Sequence, residues 1–128
     1  MRLWMMTAAA LALAPLGGAM AQDADAGARV FNQCRACHTI NQGGRNGVGP
    51  NLYGLWGRAA GSIEAFRYSA PMRAKAGEGL AWNADNLRAY LTDPKAVVPA
   101  GSMSFAGIRN EQQLNDLLAY LERASTAQ

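Results

Sequence analysis

The clearest periodicity lies near the end of the chain. Leu114, Leu117, Leu118 and Leu121 recur at the i, i+3, i+4, i+7 spacing of a helix that buries one stripe, with Tyr120 beside them. Asn110 precedes this run as a cap, and Gln113 three residues later completes a capping-box pattern. A second helix is predicted behind Asn83, with Asp85 in its first turn and Leu87, Tyr90 and Leu91 on its apolar face. Asp93-Pro94 ends it, because the residue before a proline avoids the helical region. Near the other end, Asp23 or Asp25 caps a helix running to about Cys34, with Ala26, Val30, Phe31 and Cys34 on one side. Gly27 sits inside it and costs about 1 kcal/mol relative to Ala. Either another helix crosses there at close range, or this helix is weak and frays. One short helix is expected around Pro71 to Ala76.

Between these elements the pattern dissolves. Asn41 to Asn51 is rich in Gly, Asn and polar residues and includes Gly49-Pro50-Asn51, which is loop composition throughout. Leu52 to Arg58 mixes apolar residues with Gly54 and Gly57 and reads as irregular chain packed against something apolar. Ala96 to Arg109 is expected to be a loop containing Pro99, Gly101 and Gly107. No stretch makes a convincing strand, so the predicted class is all-α, with long connections. Loops of this length are uncommon unless they carry function, and wrapping a cofactor is one such function.

The first residues read differently. Arg2 is followed by an apolar run from Leu3 to Leu16 and by small residues ending Ala19-Met20-Ala21. This is the pattern of a secretory leader over 1–21, cleaved before Gln22 to leave one domain over 22–128. An uncleaved membrane anchor is the other reading. The run falls short of the ~20 residues a spanning helix needs, and Pro15, Gly17 and Gly18 interrupt its end. Export to the bacterial periplasm is the expected location. Taking Arg2 from the twelve basic residues leaves eleven against nine acidic ones, and no basic stripe with interleaved aromatics is present. A nucleic-acid partner is therefore not expected.

The chemistry is concentrated in Cys34-Arg35-Ala36-Cys37-His38, which holds both cysteines and the single histidine of the chain. C-x-x-C-H is the attachment signature of a c-type haem: two thiols reach two vinyl groups of one porphyrin, and the adjacent imidazole lies under the ring. A thioredoxin-like pair would show a βαβ surround, which is missing. A structural zinc site needs four ligands, and only three Cys or His exist. A disulfide between the two cysteines is awkward at this spacing. With His38 alone available, bis-histidine ligation within the chain is excluded. The iron then has either an open site or a sixth ligand, for which a thioether is a soft candidate that raises the reduction potential. After the leader only Met72 and Met103 remain. Local features favour Met103, which lies in the loop Pro99 to Phe105 among small residues that let backbone approach a porphyrin. The other reading makes such a Met core filling. Met72, following Pro71 in a helix, is expected to pack.

These residues together resemble the class I c-type cytochromes, close to the bacterial cytochrome c2 type and similar to mitochondrial cytochrome c. Gly27 with Phe31 matches the first helix of that family, and Leu117 with Tyr120 the helix that crosses it. Gly49-Pro50-Asn51-Leu52 with Gly57-Arg58, Trp82, Tyr90, Asp93-Pro94-Lys95 and Met103-Ser104-Phe105-Ala106-Gly107 match further family segments. The resemblance implies the class I cytochrome c fold, three to five helices wrapped around one haem c bonded through Cys34 and Cys37. It implies His38 and Met103 as iron ligands, the Pro50 carbonyl as acceptor from the His38 ring, and Tyr90 hydrogen-bonded near the Met103 sulfur. Arg58, Tyr68 and Trp82 would serve a buried propionate, although plain core aromatics are the simpler reading of Tyr68 and Trp82.

The implied activity is electron carriage and not enzymatic turnover. Expected partners are redox proteins such as a cytochrome bc1-type complex, a terminal oxidase, a reaction centre or a dehydrogenase, with at most peripheral membrane contact and a monomeric carrier. The alternative is the haem subunit of a periplasmic dehydrogenase complex. A peroxidase would need an open iron site and a distal acid–base residue, and no spare His exists. The chain also departs from the family. Gly101 stands where a hydroxyl residue usually bonds a propionate, Ser102 where Lys is frequent, and Met72 where Asn often lines the haem floor. Lys75 and Lys95 are its two lysines, with Arg35 and Arg45 as possible substitutes around the haem edge.

Overall fold

Asp23 starts the first helix by accepting the amides of Asp25 and Ala26 at 3.0 Å each, satisfying donors that a helix start leaves free. The computed structural model describes residues 10–12 and 22–126, so the expected leader lies outside the described residues except for its positions 10–12. Helix α1 spans Ala24–Phe31 and tightens into a 3-10 turn at Asn32–Cys34, close to the expected end. Helix α2 is Ala70–Gly77, α3 is Ala84–Thr92, α4 is Pro94–Val97 and α5 is Glu111–Ser125. Five α-helices and no named strand among the described residues agree with the all-α expectation. The one sheet-like feature is an isolated antiparallel bridge between Ala59 and Ala81, flanked by bonds from Gly57 N to Trp82 O and from Trp82 N to Arg58 O, both 2.8 Å.

The caps of α3 and α5 form as expected: Asn83 accepts from the amide of Asn86 at 2.8 Å, and Asn110 from that of Gln113 at 2.9 Å. Two expectations are corrected. Ala96 and Val97, read as loop, belong to α4. Proline has its fixed φ pre-organised for the first helical position, so after Asp93 breaks α3 in extended conformation Pro94 restarts a turn. On α1 the buried residues are Gly27 and Phe31, while Ala26 and Val30 are only half-buried. The reason is the crossing of α1 over α5. A Cβ placed on Gly27 would collide with the carbonyl oxygen of Asp116 and lie 2.8 Å from the Tyr120 Cβ. The contact runs through the glycine, which explains its presence in mid-helix and removes the fraying alternative.

Phe31 and Leu117 are 0 % exposed at this crossing, and their burial contributes about 2–3 kcal/mol each. The Phe31 and Tyr120 rings lie 5.2 Å apart. Asp116 is buried and accepts from the Asp23 amide at 3.0 Å and the Gln112 side chain at 2.8 Å, which ties the start of α1 to α5. Leu114, Leu118 and Leu121 complete the buried stripe. Leu87 and Leu91 of α3 join the same core.

Candidate haem-binding cleft

One helical turn explains the spacing of the motif. The Cys34 carbonyl accepts the amides of Cys37 at 3.1 Å and His38 at 2.9 Å, so both thiols and the imidazole come from a single turn at the end of the 3-10 segment. Cys34 and Cys37 are not joined to one another. Burial pushes the Cys34 thiol up to about 11, with the charge of Arg35 opposing and that of Cys37 adding to the rise. A thiolate nucleophile of the thioredoxin kind needs the opposite shift, so the rival reading of the pair is disfavoured.

The loop after the motif folds back on it. Gly49 donates its amide to the Cys37 carbonyl and Leu52 donates to Thr39, both at 2.8 Å. Asn51 donates its side-chain amide to the Thr39 hydroxyl at 2.7 Å and accepts from the Tyr53 amide at 3.1 Å. These bonds carry the Pro50 carbonyl to 2.7 Å from His38 Nδ1. Nδ1 then holds the proton as donor, and Nε2 keeps a free lone pair. Burial lowers the His38 pKa and the Pro50 bond partly opposes it, so the ring is the neutral form that binds metal. Gly49 is a positioning residue that sequence reading passed over. A Cβ there would strike the His38 ring, lying 2.7 Å from both nitrogens. The adjacent Gly-Pro pair after a lone histidine was the available signal.

The loop after α4 forms the other part of the cleft. Val98 is buried, Ala100 has a φ of 60°, and Gly101 donates to the Val98 carbonyl at 3.0 Å. A non-glycine residue in the left-handed region costs on the order of 1–2 kcal/mol, so the surroundings hold this turn. Ile108, buried, donates to Leu91 at 2.8 Å and fixes the loop's exit to α3. Between these anchors Met103 faces Tyr90, whose hydroxyl donates to the Met103 sulfur at 3.8 Å. Burial pushes the Tyr90 phenol upward, which keeps the donating proton in place.

Both arms and the helical core enclose one cleft of about 220 Å³. Cys34, Cys37, His38, Pro50, Arg58, Tyr68, Trp82, Tyr90 and Met103 all line it, so every site residue expected from sequence converges there. Arg58 donates to the Tyr53 carbonyl at 2.8 Å, and burial lowers its pKa while Tyr68 opposes the shift. The Tyr68 hydroxyl accepts the Ile63 amide at 3.2 Å, which leaves its own proton to donate. Trp82 is buried with its ring 4.8 Å from that of Tyr90. Met72 also lines the cleft, and packs against the core as expected.

The donor set fits a haem. Two thiols, a neutral imidazole with a free Nε2 and a thioether surround an apolar space walled by leucine and aromatic side chains. Arg58, Tyr68 and Trp82 supply a guanidinium, a hydroxyl and an indole N–H for carboxylate oxygens. No cluster of three or more His, Cys, Asp or Glu suited to a bare metal ion occurs among the described residues.

Comparison with known proteins agrees with this geometry. The family model for cytochrome c matches residues 24–125. The chain is 46 % identical over 110 residues to a cytochrome c2 of Blastochloris viridis, covering 86 % of this chain and 84 % of that one. It is 43 % identical over 101 residues to a cytochrome c of Stellaria longipes, covering 78 % and 91 %. It is 42 % identical over 101 residues to a cytochrome c-550 of Nitrobacter winogradskyi, covering 79 % and 90 %.

Proposed function

Since the chain belongs to the cytochrome c family, and as such is a monohaem electron carrier with one haem c held covalently through Cys34 and Cys37, we propose that His38 and Met103 are its two iron ligands and that it shuttles electrons in the bacterial periplasm. The haem supplies a one-electron couple, iron passing between ferrous and ferric. With His38 and Met103 both holding the iron, no substrate would reach it, and little would rearrange on electron transfer.

The observation that carries this reading is the convergence of His38 and Met103 on one apolar cleft, each with an orienting partner. The Pro50 carbonyl fixes the His38 ring and raises its basicity toward the metal. The Tyr90 hydroxyl holds the Met103 thioether at one rotamer. Apolar walls exclude water, which together with a thioether ligand favours the reduced state. Arg58, Tyr68 and Trp82 would hold a propionate in the buried part of the cleft, where an unpaired carboxylate would be costly.

Export follows from the leader pattern of 1–21, with Gln22 as the mature N-terminus. Among the described residues no helix is long and apolar enough to cross a membrane. The partners proposed are membrane-bound or periplasmic redox proteins, a cytochrome bc1-type complex, terminal oxidase, reaction centre or dehydrogenase, met by a monomeric carrier. The test is the optical spectrum of the ferric protein. The weak far-red sulfur-to-iron band is expected in the natural sequence and in Met72→Ala, and is expected to vanish in Met103→Ala. Its persistence in Met103→Ala would refute the ligand assignment.

A further inference from the structure

Arg35 stands inside the attachment motif, between the two cysteines. Three contacts hold its guanidinium. Nε donates to the Asn32 side-chain oxygen at 3.0 Å, and one terminal nitrogen donates to the Tyr120 hydroxyl of α5 at 3.3 Å. The central carbon lies 4.9 Å from the centre of the Phe31 ring, over its face. All three partners are neutral, so the charge is fixed in place without being cancelled. Other cations are arranged differently. Lys75 lies 3.2 Å from Glu78, Arg109 3.6 Å from Asp93 and Arg123 3.0 Å from Asp25, each matched by a carboxylate. Arg45, Arg67 and Lys95 are exposed and outside the cleft lining, where water and salt screen them. Arg58 lines the cleft, but a propionate would offset its charge.

Protein, not water, lies between the Arg35 charge and the cleft. Phe31, on which the guanidinium rests, is 0 % exposed and lines the cleft. Cys34, the residue before Arg35, lines it too, and its sulfur is one of the two that bond the haem. A field that crosses a buried ring is weakened less than one that crosses water. The effect is already visible at that sulfur: burial pushes the Cys34 thiol upward, and the charge of Arg35 opposes the rise.

We infer that Arg35 is a fixed, uncancelled cation that raises the reduction potential of the haem. The inference rests on the haem being bonded through Cys34 and Cys37, and it adds a residue that sets the driving force of electron transfer. Ferric haem carries one more positive charge than ferrous haem. A guanidinium beside it repels the ferric form more strongly, so the couple shifts toward the reduced state. Arginine keeps its charge throughout the ordinary pH range, so this contribution does not titrate away. Arg35 is exposed on its outer side, so salt screens part of the field and the contribution shrinks as ionic strength rises.

Equilibrium redox titration of the haem-loaded protein in an optical cell tests this, at low and at high salt, with the far-red band followed throughout. At the natural protein's midpoint and low salt, Arg35→Gln is expected to show a ferrous-to-ferric ratio about threefold lower. At high salt that difference is expected to shrink below about 1.5-fold. Arg35→Lys keeps the charge and loses the planar fork, and its ratio is expected to stay within about 1.5-fold of the natural one. Asn32→Asp, at an exposed position, leaves Arg35 in place and gives its guanidinium a carboxylate. Its ratio is expected to fall at least as far as that of Arg35→Gln. The far-red band is expected to persist in all three. Unchanged ratios in Arg35→Gln and Asn32→Asp overturn the inference. So does a fall in Arg35→Lys equal to that in Arg35→Gln, because lost contacts and not lost charge would then set the potential. A natural protein without the far-red band would sink the Met103 assignment instead, and the ratios would still decide the role of Arg35.

Discussion

The helix crossing and the cleft beside it are built from the same chain by opposite means. Where α1 crosses α5, protein fills the space between protein. Gly27 lies on the Asp116 backbone, Phe31 and Leu117 lose all exposure, and Asp116 takes hydrogen bonds from both sides. In the cleft, leucine and aromatic side chains from α3, α5 and two loops face a space that no part of the described chain fills. The crossing is a finished core. The cleft is half a core, and the covalent haem supplies the other half. The difference teaches where stability comes from: a small domain with long loops completes its buried apolar area with a rigid ligand.

The largest effect that would break this comparison comes from removing the attachment. Cys34→Ala with Cys37→Ala is expected to leave a chain without covalent haem and with most of its far-ultraviolet helical signal lost. Native-like helicity in that variant would mean that the crossing stands alone and that the cleft contributes little.

Next comes the crossing itself. Gly27→Val places a branched Cβ against the Asp116 carbonyl, a backbone atom that cannot step aside. The haem-loaded variant is expected to lose about 3 kcal/mol in guanidinium unfolding while keeping its far-red band, because the helices part before the cleft does. A loss below about 1 kcal/mol would show that α1 and α5 are less closely held than their geometry says.

The smallest effect sharpens the contrast from the other side. Gly49→Ala puts a methyl against the His38 ring, a side chain that can turn at the expense of its Pro50 bond. Here the expected loss is about 2 kcal/mol in unfolding, with a weakened far-red band and a lowered reduction potential. An unchanged spectrum with the same loss of stability would make Gly49 a packing residue only, and not one that orients the ligand.

Much of this was legible in the residues. The caps Asn83 and Asn110 act within three residues of the donors they satisfy, so they announce the helix starts directly. The leucine stripe of α5 shows its buried face by spacing alone. Less legible was α4: Pro94 both ends one helix and opens another, and a proline signal alone does not separate the two roles. On α1 spacing put Ala26 and Val30 on the packed side, and only the fold showed that the contact is made by Gly27, whose place in mid-helix had left a close crossing as one of two readings.

The sequence by itself determined the cofactor class and the only imidazole, since both cysteines and the single histidine share one turn and no other residue offers that chemistry. It also determined the helix starts and the apolar faces, which are set by neighbours a few positions away. Only the tertiary structure decided that Met103 and not Met72 receives the Tyr90 hydroxyl, although both enter the cleft. It alone seats the His38 ring between Gly49 and the Pro50 carbonyl. It also laid the Arg35 guanidinium against the Tyr120 hydroxyl and the Phe31 ring. The physical reason is common to all three. Each depends on contacts between segments far apart in the chain, such as the Gly54 amide on the Ser125 carbonyl at 2.6 Å, and such contacts exist only once the loops have closed around the core.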